Sequence, residues 1–145
     1  MKNISKEEDL KTLLSKERMI SWNLFKIGQL LCSDLNFKDI FSKQGFNKIA
    51  VYGYGKVGQL FINLMLKNKV EIGYCIDQKT DIYGADIEIR HSIKDLDNSV
   101  DVLIVTADFY FEDIKSEIDN NLDVKVLSIT KILEELMLCC NEILL

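Results

Sequence analysis

The segment Ile49-Ala-Val-Tyr-Gly53-Tyr-Gly55-Lys-Val-Gly58-Gln-Leu60 holds the residues whose types and spacing point most directly to chemistry. Three glycines stand as G-x-G-x-x-G. Alone, that pattern is weak. Here it follows an apolar run, opens an apolar-periodic stretch, and precedes a second apolar run that ends in Asp77, nineteen residues after Gly58. This is the context a nucleotide phosphate site requires. Gly53 permits a tight turn out of a strand, Gly55 leaves room for a pyrophosphate, and Gly58 lets a helix lie close on a sheet. Unpaired amides and the positive end of the helix dipole favour an anion there. The candidate phosphate site is therefore Gly53, Tyr54, Gly55, Lys56, Val57 and Gly58. Asp77 suits the two hydroxyls of a ribose. Its charge repels a 2′-phosphate, which favours NAD or another nucleotide over NADP. Tyr54 stands where a small residue is usual, and its ring is expected to narrow or lid the cleft.

Further candidates lie downstream. The loop Thr106-Ala-Asp-Phe-Tyr110 leaves a strand at its carboxyl end, where open α/β sheets hold ligands. Thr106 is placed to bond a phosphate or ribose, and Asp108 or Tyr110 to reach a substrate. Equally, Phe109, Tyr110 and Phe111 can cap a helix and cover the core. His91 is the sole histidine and follows a short strand, so it is either an edge residue of the same site or an exposed side chain. Tyr52 and Lys56 match Y-x-x-x-K by chance, since they flank the glycine turn itself. Cys32, Cys75, Cys139 and Cys140 have no C-x-x-C spacing, and one histidine does not complete a zinc set with them. No metal is expected.

These residues need elements to position them. Before residue 46 the pattern is helical. Ser5 and Glu8 form a capping-box pair, and Leu10, Leu13, Leu14, Ile20, Leu24, Ile27 and Leu31 follow at three- and four-residue steps. Glu17 interrupts this stripe, leaving one long helix or two with a bend near Ser15–Glu17. Asn36 caps a short helix through Phe37, Ile40 and Phe41, which Gly45 ends. Beyond residue 47 the period switches. Strands are expected at Lys48–Tyr52, Val70–Asp77 with a bulge or close approach at Gly73, Ile87–Arg90, Asp101–Thr106 and Val124–Ser128. Helices fall at Gly55 to about Asn68, one turn at Ser92–Leu96, about Tyr110–Asn120, and Thr130 onward. Strands alternating with helices imply right-handed crossovers and a parallel sheet covered on both faces.

Composition sets the limits. The chain has 145 residues, 48% hydrophobic and 28% charged, as expected of a folded domain. No apolar run approaches the ~20 residues of a membrane span. The N-terminus is acidic where a signal peptide is apolar, and four cysteines without a secretory context point to a reducing compartment, so a cytoplasmic protein is expected. The net charge is −5, and the excess of acid lies after residue 48, which disfavours nucleic acid as a partner, with a weak alternative in the mildly basic first third. Proline is absent, and Lys, Asn and Ile abound, a composition of low-GC bacteria.

The runs VYGYGKVGQL, the strand ending in Asp77, DVLIVTADFYFEDIKSEI and VKVLSITKILEEL resemble bacterial Rossmann modules that accompany cell-surface polysaccharide and nucleotide-sugar enzymes. They are also similar to the NAD-binding half of redox-sensing repressors. The resemblance covers about residues 47–138; the strand–helix alternation and the glycine turn predict a Rossmann-like three-layer parallel sheet of order 3-2-1-4-5 over residues 47–145, with a helical appendage at 1–46. The resemblance implies ligand contacts at Gly53–Gly58, Asp77 and Thr106–Tyr110. The function expected is binding of NAD or a nucleoside diphosphate sugar, beside a partner enzyme of sugar metabolism. The sheet is not followed by a substrate domain, so a complete catalytic site is not expected. A regulatory NAD(H)-sensing or protein-interaction domain is the alternative, although no strand pair for a DNA-binding wing precedes the sheet. Met19, Trp22, Phe25 and Cys32 lie off the main stripe of the first helix and are expected to support a homodimer.

Overall fold

The computed structural model describes residues 5–144, and the side chains of residues 5–140. The first four residues of the expected appendage (1–46) and the last residue of the expected Rossmann-like segment (47–145) lie outside the described residues. In chain order the elements are α1 (Lys6–Leu31), α2 (Phe37–Lys43), β1 (Lys48–Tyr52), α3 (Lys56–Lys67), β2 (Glu71–Ile76), β3 (Ile89–Arg90), β4 (Val102–Val105), α4 (Phe111–Ser116), β5 (Lys125–Ser128) and α5 (Ile129–Leu144). Short 3-10 turns occupy Ile93–Asp95 and Asp108–Tyr110.

All strand pairs are parallel, and the sheet order is β3-β2-β1-β4-β5. The fold is Rossmann-like α/β. Alternation along the strands sends side chains to two cores. Ile49, Val51, Cys75, Val102 and Ile104 face the layer of α1, α2, α3 and α5. Ala50, Tyr74, Ile76, Leu103 and Val105 face the other layer, with Leu96, Val100 and Ile114 of α4. Gly73 is skipped in the register between Ile49↔Ile72 and Ala50↔Tyr74, so the expected irregularity is there. A Cβ at 73 would lie 2.9 Å from Val100 Cγ1, so close packing holds it as well.

α1 and α2 share this core. Ile27 and Leu30 of α1 and Phe37 and Phe41 of α2 are buried in the same cluster as Phe61 and Leu133. α1 is continuous through Ser15–Glu17, which resolves the alternative of a bend. Its N-cap is Ser5, whose hydroxyl accepts from the Glu8 amide at 3.2 Å. From Lys6 to Ser15 it is exposed throughout. α2 ends as expected at Gly45, in the left-handed region at φ 82°. There the Phe46 amide donates to the Phe41 carbonyl at 2.8 Å and the Gly45 amide to the Ser42 carbonyl at 3.0 Å, which satisfies two of the helix's last carbonyls.

Candidate functional site

β1 runs into Gly53, whose φ of 104° turns the chain toward α3. An L side chain rarely takes that conformation. A Cβ there would also lie 2.5 Å from Thr106 Oγ1. At Gly58 a Cβ would lie 2.0 Å from the Gly53 carbonyl oxygen. α3 therefore starts against the loop it leaves, and only glycine fits. Gly55 differs. As the N-cap of α3 it has φ −83° and ψ −162°, extended backbone open to any residue. Nothing lies within 4 Å of where its Cβ would stand. No side chain caps the first turn of α3.

Asp77 follows β2 and ties the loop in place. Its Oδ2 accepts from the Tyr54 amide at 2.7 Å, and its Oδ1 from the Lys79 amide at 2.8 Å. Each oxygen keeps a further lone pair. The Gly53 amide donates to the Ile76 carbonyl at 2.8 Å, and Gln59 Nε2 to the Tyr54 carbonyl at 3.0 Å. Thr106 is buried beneath, its hydroxyl bonded to the Tyr52 carbonyl at 2.7 Å with the Gly53 carbonyl at 3.2 Å. Its hydrogen serves the loop, so Thr106 meets a ligand only as an acceptor. Cys75 lies under the same turn, 3.7 Å from the Gly53 carbonyl. Burial, and then the Asp77 charge, push its thiol up to about 12. The same two influences, with Glu117 between them in weight, raise the Tyr52 phenol above its ordinary value.

Over these residues opens a cleft of about 430 Å³, within the range of small-molecule sites. Gly53, Gly55, Lys56, Val57, Gly58, Asp77 and Thr106 all line it, as do Asp108, Phe109 and Tyr110. Tyr54 does not. Its ring packs against the main apolar cluster and neither narrows nor lids the cleft, so Tyr54 contributes its backbone amide to the loop. His91 is exposed, with Nδ1 3.0 Å from the Asp77 carbonyl oxygen, and stays outside the lining.

Sequence reasoning missed the cleft's other wall. Lys16, Glu17, Met19, Ile20 and Asn23 of α1 line it, with Lys79 after β2. The sequence carries only a trace of it: Lys16 and Asn23 stand one heptad apart beside Ile20 and Ile27, two polar residues on a covered face. Asn23 is 2% exposed and bonds Thr130 of α5, which in turn bonds Asp108. That chain of contacts joins α1, α5 and the loop after β4.

Among the described residues no group of three or more His, Cys, Asp or Glu side chains is placed to hold a metal ion, and no helix is long and apolar enough to cross a membrane.

A parallel sheet of this order, with a glycine turn and a cleft at its carboxyl edge, defines a Rossmann-like domain. Residues 45–130, more than half of the chain, match the family described as C2185-like, N-terminal, and the chain belongs to that family. No curated protein matches it. Among solved structures it is similar to RSP, a Rex-family repressor, at 15% identity and a TM-score of 0.40, covering 74% of this chain and 65% of that one.

Proposed function

We propose that the chain binds a nucleotide, NAD or a nucleoside diphosphate sugar, with its diphosphate at Gly53–Gly58 and its ribose on Asp77. The observation that carries this reading is the contrast among the three glycines. The fold demands Gly53 and Gly58, whereas Gly55 answers no demand of backbone or packing. An open glycine at the uncapped start of a twelve-residue helix, inside a cleft, is what an approaching phosphate needs.

A thermal-shift screen of NAD, NADH, UDP-sugars, CDP-sugars and CoA tests it. A ligand at a hundred times its Kd stabilises by about 2.7 kcal/mol, a rise of several degrees. Gly55→Val should abolish the shift, and Asp77→Ala should weaken binding by about 1.5–3 kcal/mol. Unchanged affinity in both variants would remove the assignment.

A role beside an enzyme of polysaccharide or nucleotide-sugar metabolism, in the cytoplasm, rests on the sequence resemblance and composition. Self-association through α1 is supported by Trp22 and Phe25, stacked at 5.5 Å and both more than half exposed, with Leu14 on the same side. Burying such a patch against a second copy is the commonest closed solution. Light scattering tests it, and a mass near that of one chain over a broad concentration range would contradict it.

A further inference from the structure

The sheet order lines up three features along the carboxyl edge: Asp77 at the end of β2, the glycine loop at β1, and Thr106–Tyr110 at β4. A ribose on Asp77 and a diphosphate over α3 leave the rest of a ligand at the β4 end. α1 passes there and brings Lys16. Its Nζ lies 2.5 Å from Tyr110 Oη, 4.6 Å from the Tyr110 ring centroid and 5.5 Å from that of Phe109. The two rings meet edge-on at 82°, which fixes the platform. Among the described residues no carboxylate lies within ion-pair distance of Lys16.

Besides Asp77, two carboxylates line this cleft. Asp108 bonds the Thr130 hydroxyl on the α5 side, and Glu17 follows Lys16 on the exposed side of α1. Neither pairs with Lys16. The ammonium is held by aromatic faces and a phenol oxygen, and two of its three hydrogens are not engaged by Tyr110. Tyr110 accepts from Lys16, so its own hydrogen is also available. An ammonium with free donors and no carboxylate within ion-pair distance is complementary to an oxyanion.

We propose that Lys16 and Tyr110 form an oxyanion seat at the β4 end of the cleft, which takes a terminal carboxylate or phosphate of the bound nucleotide. This rests on the nucleotide reading above and adds to it the chemistry of the ligand's far end.

Calorimetry with two matched pairs tests the seat: UDP-glucuronate against UDP-glucose for a carboxylate, and ATP against ADP for a phosphate. In the wild type the first member of at least one pair should bind about tenfold more tightly, and which pair responds identifies the group. Lys16→Met should bring that ratio near one. Lys16→Arg should preserve the ratio, and Tyr110→Phe, which keeps the ring, should reduce it partially. A ratio near one for both pairs in the wild type, a ratio that survives Lys16→Met, or no binding of any of the four would overturn the seat. Gly55→Val separates the two readings. Equal binding within each pair that Gly55→Val abolishes leaves the nucleotide site standing without the seat. Binding that Gly55→Val leaves intact removes both.

Discussion

At the amino edge of the sheet, Asp101 Oδ2 accepts from the amides of Asn47 and Lys48 at 2.8 and 2.9 Å, and its own backbone pairs with Lys48 and Lys125. At the carboxyl edge, Asp77 holds the amides of Tyr54 and Lys79 in much the same way. A carboxylate gathering loop amides is thus part of the fold at both ends and does not by itself mark a site. The difference lies in what remains. Lys48 at the amino edge pairs with Glu71 at 3.7 Å. At the carboxyl edge, the first turn of α3 has no side-chain cap, whereas α1 and α2 are capped by Ser5 and Asn36. An uncapped first turn of a twelve-residue helix that opens on a cleft is what separates a binding site from a well-closed loop.

The largest expected effect breaks the carboxyl edge outright. Gly58→Val places carbon atoms inside the Gly53 carbonyl and should cost about 3 kcal/mol or more, read as a lower urea midpoint or failure to fold. At the other edge, Asp101→Ala should cost about 1–3 kcal/mol by leaving two amides without their acceptor. Any nucleotide affinity should be unchanged by it, and a loss comparable to that of Asp77→Ala would erase the contrast between the edges.

A smaller effect concerns acid. Asp97 bonds the Ser99 hydroxyl, and Arg90 Nη1 donates to it at 3.0 Å. These contacts, Ser99 first, hold its carboxyl well below the usual carboxylate range. A depressed folded value means that the unfolded chain binds the proton first. The stabilisation is therefore complete above about pH 4 and is lost as pH falls from there toward the depressed value. Asp97→Asn should flatten the fall in unfolding midpoint below pH 4. An unaltered acid profile would show that Asp97 contributes nothing to it.

The smallest effect is chemical. Cys32 is exposed and Cys75 is buried beneath the Gly53 turn. At pH 8 a thiol reagent should modify Cys32 quickly and Cys75 only on unfolding, as followed by peptide mass. Prompt modification of Cys75 would mean that the carboxyl-edge loop opens in the native state.

The parallel order and the glycine loop were legible because period, glycine spacing and Asp77 all pointed to one arrangement. β1 has the expected bounds, Lys48–Tyr52. Shorter elements were less legible. The helix expected at Tyr110–Asn120 is a 3-10 turn at Asp108–Tyr110 followed by only Phe111–Ser116, since turns take over through Asp119–Leu122. β3 is two residues, at Ile89–Arg90, because pairing with β2 begins only opposite Cys75. The wall made by α1 was hidden for a different reason. Period shows which face of a helix is covered, and here that face meets core at Ile27 and cleft at Lys16 and Asn23. Only the tertiary path of the chain distinguishes the two.

The central claim is that the first turn of α3 receives a phosphate. Amide chemical shifts in a ¹⁵N-labelled sample, titrated with the nucleotide that most raises the melting temperature, test it most directly. Saturable shifts should concentrate at Gly55–Gly58, with smaller ones at Tyr54 and around Asp77, and they should vanish in Gly55→Val. Saturable shifts that leave Lys56, Val57 and Gly58 unmoved and cluster elsewhere would contradict the account.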